Sequence, residues 1–150
     1  MKLPSHLNLL ASHTAPIAHV DDDKLTLGIV AKFHQRSGLS NPIEGFTDGD
    51  FFLDYMKSRK QDNAELPLLV LLDINMPGKD GFEVLEELRN EECFREIPIC
   101  SMLSSSTYEK DIKRAKDLGA DAYMVKPDSG RDYRYFFTEI SERLNGKMAG

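Results

Sequence analysis

The chain has 150 residues, 41% of them hydrophobic and 29% charged, and a formal net charge of −6 at neutral pH. This size suits one compact domain with a real core and leaves too little for a second, and the composition is neither that of a disordered nor of a fibrous chain. The negative charge argues against a general nucleic-acid or anionic-membrane binder, which needs a basic face to displace counterions, and leaves small ions and proteins as ligands.

Residues 1 to 15 follow neither the helical nor the strand period and read as a loose leader. Their short apolar patch, Leu7 to Ala11, is interrupted by Asn8 and flanked by His6 and His13, which excludes a signal peptide. No segment has the length to span a bilayer. Two cysteines, Cys93 and Cys100, are too few for a disulfide framework, so a cytoplasmic protein is expected.

Pro16 to Val20 reads as a buried strand, and Leu25, Ile29, Val30 and Phe33 recur at helical spacing over Asp23 to Arg36. Ile43 to Phe46 is a second strand and Asp48 to Lys57 a second helix. The continuous apolar run Leu66 to Leu72, ending at Asp73, has the pattern of a strand covered on both faces. Met76-Pro77-Gly78 forms a turn, and Asp80 with Glu83 makes a capping box for a helix through Arg89. Ile97 to Leu103 is the fourth strand, Ser106 to Leu118 a helix capped by Ser106 with Glu109, and Ala122 to Val125 the fifth strand. Tyr133, Phe136, Phe137, Ile140 and Leu144 mark a final amphipathic helix. Strict alternation of this kind predicts an α/β domain whose parallel sheet is covered on both faces. Ligands of such sheets bind outside the carboxyl ends of the strands.

Three of those ends carry unusual residues: Asp21-Asp22-Asp23 after the first strand, Asp73 after the third, Lys126-Pro127 after the fifth. Each has a bland alternative. An aspartate run before a helix is commonly a cap, Asp73 alone could be a turn residue, and Lys126 alone a solvated charge. Together, Asp21, Asp22 and Asp73 bring carboxylates to one rim, where like charges disfavour ionisation and call for a cation. Oxygen donors with room for water suit Mg²⁺, and Lys126 adds a positive charge for a phosphoryl oxygen. Ser104, at the tip of the fourth strand, offers a hydroxyl to the same rim or is simply a turn residue. His6, His13, His19 and His34 lack metal-ligand spacing and receive no function, with His34 expected at the surface.

VDDD at 20–23, LVLLDINMPGKDGFEVLEELR at 69–89 and DIKRAKDLGADAYMVKP at 111–127 resemble the receiver domain of two-component response regulators. The resemblance spans about residues 16 to 146 and implies a flavodoxin-like (βα)5 sheet of order 2-1-3-4-5, with no output domain attached. It implies that Asp73 accepts a phosphoryl group, that Asp22 binds Mg²⁺ directly and Asp21 through water, and that Asn75 adds its backbone carbonyl. Lys126 matches the family lysine, with a cis bond to Pro127. Tyr123 matches an aromatic that turns inward on phosphorylation, and Asn75 and Ser106 flank the site where they influence the rate of dephosphorylation. Ser104 matches the switch hydroxyl when counted back from Lys126. Counting forward from Pro98 gives Leu103, which has no hydroxyl, so Ser104 is preferred and a bulge in the strand becomes possible.

The expected activity is that of a signalling phosphoacceptor rather than a turnover enzyme. Its phosphodonor would be a sensor histidine kinase or histidine phosphotransfer protein. Output would pass to an unnamed protein through the face of helix four, strand five and helix five, from a monomer or a phosphorylation-dependent dimer. The rival is a haloacid-dehalogenase-like phosphatase with Asp73 as nucleophile, although such enzymes carry an aspartate two residues on, where this chain has Asn75. A flavodoxin-type cofactor module is disfavoured because Asp21 to Asp23 would repel an anion.

Overall fold

The computed structural model describes residues 12–103, 109–127 and 130–149. Five strands alternate with five α-helices: β1 (Ile17–Val20), α1 (Lys24–Arg36), β2 (Ile43–Phe46), α2 (Gly49–Gln61), β3 (Leu69–Asp73), α3 (Gly81–Asn90), β4 (Ile99–Leu103), α4 (Glu109–Asp117), β5 (Ala122–Val125) and α5 (Gly130–Ala149). The strands form one parallel sheet in the order β2-β1-β3-β4-β5. This is the doubly wound architecture expected from the alternation.

Because strand side chains alternate in direction, the fully buried β3 feeds two cores. Leu69 and Leu71 pack with Val30 of α1 and Tyr133, Phe136, Phe137, Ile140 and Leu144 of α5. Val70 and Leu72 face the other way, onto Phe52, Leu53 and Met56 of α2 and Val84, Leu85 and Leu88 of α3. A smaller cluster of Ile74, Phe82 and Ala115 joins α3 to α4, with Tyr123 against it. At the opposite end of the sheet from the strand tips, the Arg89 guanidinium donates to the carbonyls of Gly119, Phe94, Arg95 and Ile97 and pairs with Asp121. It thereby ties α3 to the entrances of β4 and β5.

Several local expectations change. β3 begins at Leu69 rather than Leu66, since Pro67 has no N–H to give a ladder. The second helix continues to Gln61, and a 3-10 turn at Glu92–Phe94 stands where no element was read. On α1, Leu25 and Ile29 are exposed, and the buried residues are Val30 and His34. His34 is therefore not a surface residue. Its Nε2 donates to the Asn41 carbonyl at 2.7 Å and its ring meets Phe137 edge-on, so the apolar body and the polar nitrogen are both satisfied. No cis peptide bond occurs among the described residues, so the Lys126–Pro127 bond is trans. An X–Pro bond prefers trans by only about 0.5–1 kcal/mol, so the dipeptide alone fixes neither isomer. β4 keeps an unbroken register with β3 up to Met102 and with β5 up to Leu103. No bulge lies within its described residues.

α5 begins at Gly130, and its packing explains a glycine there: a Cβ on Gly130 would fall 2.1 Å from the Phe33 ring of α1. The two helices approach through that gap.

Candidate functional site at the carboxyl rim

The site is assembled by three strand ends. Asp21 follows β1, with its backbone N–H bonded to the Phe46 carbonyl of β2 at 2.9 Å, so the ladder itself sets its direction. Asp73 is the last residue of β3, directly after the Leu72 that pairs with Val20 of β1, and is itself paired with Met102 of β4. Lys126 follows β5. Asp21 and Asp73 are 0% and 2% exposed, whereas Asp22 faces solvent. Asp21, Asp22 and Asp73 each bring a carboxylate oxygen within 4.8 Å of the other two.

The Lys126 ammonium lies 3.0 Å from Asp21 Oδ2 and 3.2 Å from Asp73 Oδ2, bridging the two buried acids. Burial disfavours the Lys126 charge, but its bond to Asp21 and the charges of both acids prevail and hold its pKa above the ordinary value. Asp73 ends in the opposite condition. Burial pushes its carboxyl up to about 6, aided by the charge of Asp21 and opposed by Lys126 and the Asn75 N–H. That N–H donates to Asp73 Oδ1 at 3.2 Å.

Asp23 belongs to a different task. It caps α1, accepting from the Leu25 N–H at 3.0 Å and the Thr26 hydroxyl at 2.8 Å, so the cap reading holds for this member of the triplet and not for its neighbours. The β3–α3 connection turns at Gly78, whose φ is +74°, and enters α3 through the Asp80–Glu83 capping box. Gly81 closes it: its N–H donates to the Ile74 carbonyl at 3.0 Å, and a Cβ there would sit 2.4 Å from the Asp73 carbonyl oxygen. The helix start thus presses directly on the backbone that carries Asp73. The motif contained this glycine, but no role was read for it. His19 was also passed over. It lies two residues before Asp21 on the same face of β1, 2% exposed, and burial lowers its pKa to about 4, with Asp21 opposing and Lys126 adding to the shift.

Of the other expected site residues, Asn75 stands exposed beside Asp73. Tyr123 is half-buried in the body of β5 rather than at its tip, opposite Ser101 of β4. Ser104 and Ser106 lie outside the described residues. The donor set of the rim is oxygen only, with two buried carboxylates and one open to water. Such a set fits a hard divalent cation that keeps part of its hydration, and gives no purchase to a soft metal.

The response regulator receiver domain family model matches residues 17–133. The chain belongs to that family. As a receiver domain it has relatives over most of its length: it is 33% identical to the "probable methanogenesis regulatory protein FilR2" of Methanothrix harundinacea over 82% of this chain and 79% of that protein. It is 28% identical to response regulator Rcp1 of Synechocystis, over 75% of this chain and 77% of that protein. A crystal structure of phosphorylated RcpA, a cyanobacterial phytochrome response regulator, superposes with a TM-score of 0.75 at 27% identity, covering 89% of this receiver and 96% of that chain. The crystal structure of Rcp1 described as Mn²⁺-bound gives 0.70 at 26% identity, covering 84% and 91%. Membership places the chain with response regulator receiver domains and gives no support to the dehalogenase-like phosphatase reading. Among the described residues no helix is long and apolar enough to cross a membrane.

Proposed function

We propose that this receiver accepts a phosphoryl group on Asp73 and signals by protein–protein contact. The observation that carries the reading is the Lys126 ammonium spanning the buried carboxylates of Asp21 and Asp73, with Asp22 beside them. Neither acid is spent on a helix cap, and a cation held between them is poised to meet an incoming anion.

In the transfer, an oxygen of the Asp73 carboxylate attacks the phosphorus of a phosphohistidine. The new O–P bond forms as the P–N bond breaks, and the imidazole nitrogen leaves with the electron pair. A small acyl phosphate could serve in the same way. Because such transition states are loose, the protein contributes position and charge rather than covalent chemistry. The β3 backbone and Gly81 fix Asp73, and Lys126 pairs with a phosphoryl oxygen once the Asp73 negative charge is consumed. Asp22, Asp73 and the Asn75 backbone carbonyl would hold Mg²⁺ directly and Asp21 would hold it through water, and the ion would supply the charge neutralisation that lets a phosphate approach clustered acids. Ser104 serves as the hydroxyl that meets the phosphoryl group, Tyr123 as the aromatic that responds, and Asn75 and Ser106 as modulators of hydrolysis.

The donor is a sensor histidine kinase or histidine phosphotransfer protein. Output leaves through α4, β5 and α5, where Lys113, Lys116, Arg131, Arg134 and Tyr135 are exposed. The decisive experiment is labelling by acetyl phosphate or phosphohistidine donor with and without Mg²⁺. Wild type labels only with the metal and Asp73→Asn does not label. Label on Asp73→Asn, or undiminished label in EDTA, defeats the assignment.

A further inference from the structure

The interior of β4 holds a polar group that the site just described does not use. Ser101 is 0% exposed, and its hydroxyl has no hydrogen-bond partner among the described residues. Burying a hydroxyl without a partner is unfavourable, so a native strand keeps one at a disadvantage unless another state satisfies it. Ser101 lies in register with Leu72 of β3 on one side and Tyr123 of β5 on the other. Register partners project to the same face of a sheet, and this is the face covered by α3 and α4, where Tyr123 packs with Ile74, Phe82 and Ala115. Leu72 in turn directly precedes Asp73.

We propose that Ser101 is a positioning residue of the switch: its buried hydroxyl is the hydrogen-bond partner that receives the Tyr123 phenol when that ring turns inward. Neighbouring strands lie about 4.8 Å apart, a span that a tyrosine side chain crosses when it folds over the adjacent strand. Tyr123 is half-buried and directly opposite Ser101, so a change of its side-chain rotamer is the movement that brings its hydroxyl toward β4. The inward ring gains a partner for its own O–H and satisfies Ser101 in the same step, so the inward state is favoured by a bond that the outward state lacks. The two arrangements are discrete, as a packed two-state element requires. Events at Asp73, one residue beyond the Leu72 that flanks Ser101, then bias which of them is occupied.

This inference rests on Asp73 being the phosphoryl acceptor, and its test keeps the two apart. Beryllofluoride with Mg²⁺, a stand-in for the phosphoryl group, is titrated into wild type, Ser101→Ala, Tyr123→Phe and the double variant, and the unliganded proteins are melted in parallel. One net hydrogen bond corresponds to a factor of about 5 in an equilibrium constant, so Ser101→Ala should weaken beryllofluoride binding by about 3- to 10-fold. The same substitution should have no effect in the Tyr123→Phe background, because the phenol oxygen is gone. Unliganded Ser101→Ala should melt at or above wild type, since it deletes an unpaired polar group. Equal losses in both backgrounds, or a lower melting temperature with unchanged binding, would show Ser101 to be merely structural and overturn the inference while leaving the acceptor reading standing. Absence of Asp73-dependent beryllofluoride binding in wild type overturns both.

Discussion

A carboxylate at the end of a buried strand conflicts with its surroundings, and Asp73 shows how much of that conflict the neighbouring residues remove. Lys126 and the Asn75 N–H favour the ionised form, yet burial and Asp21 leave the carboxyl at about 6, against 3.8 for an unperturbed aspartate. A folded-state pKa above the unfolded one means that stability is fully present below the unfolded value and is lost as pH rises through the folded value. Ionised Asp73 therefore costs the unliganded protein on the order of 2–3 kcal/mol above pH 7. Asp73→Asn removes the titration, so it should raise the unfolding free energy by about that amount at pH 7.5, by roughly half at pH 5 and hardly at all at pH 4. Chemical denaturation of both proteins at the three pH values checks it, and a stabilisation that does not change with pH would show that Asp73 is not held out of its normal range. The rim is thus unstable by itself for the same reason that it is receptive to cations.

At the scale of elements, the legibility of the sequence followed how local each determinant is. The Asp80–Glu83 box, the apolar run into Asp73 and the alternation of strand and helix are all written within a few residues, and each appears where expected. The burial of His34 was not legible, because it depends on the Asn41 carbonyl and the Phe137 ring, which come from other parts of the chain. The placing of Tyr123 opposite Ser101 was likewise not legible, since register is a property of the assembled sheet. Gly81 sits between these cases: its motif was visible, but its reason is the contact between the α3 start and the Asp73 carbonyl. Neither partner in that contact is the far end of a flexible side chain, so the clash of a Cβ can be relieved only by displacing the β3–α3 junction. Gly81→Ala should accordingly cost about 1–3 kcal/mol of stability and slow Asp73 phosphorylation by about tenfold or more, through displacement of the attacking oxygen. Unfolding and labelling rates measured on the same preparation check both effects. Normal labelling kinetics in a destabilised variant would separate the glycine from the site.

For the molecule as a whole, two buried groups near the same rim make the stability depend on pH in opposite directions. Asp73 erodes stability as pH rises, while His19 erodes it as pH falls. Burial holds the His19 pKa at about 4 against 6.5 for an unperturbed histidine, so the unfolded chain binds a proton that the folded one refuses. With the folded value depressed, the stability is present above the unfolded pKa and is lost as pH drops from 6.5 toward 4. The expected loss from this one residue is about 2 kcal/mol at pH 5 and about 3 kcal/mol once pH falls below 4. Asp21 moderates it by attracting the imidazolium, and Lys126 adds to it by repulsion. His19→Gln keeps a polar side chain of similar bulk without the titration. Its unfolding free energy relative to wild type should therefore improve steadily from pH 6.5 to pH 4, whatever offset the substitution introduces at pH 7.5. Denaturant midpoints across that range give the comparison, and parallel curves for the two proteins would show that the acid limb belongs to other groups. Because the His19 and Asp73 effects overlap between pH 4 and 6 with opposite slopes, they largely offset each other there in wild type, so each single variant should show a steeper profile than wild type and the double variant with Asp73→Asn should again be nearly flat. The two changes should add unless Asp21 and Lys126, which contact Asp73 through an ion pair or its field and act on His19 as well, couple them.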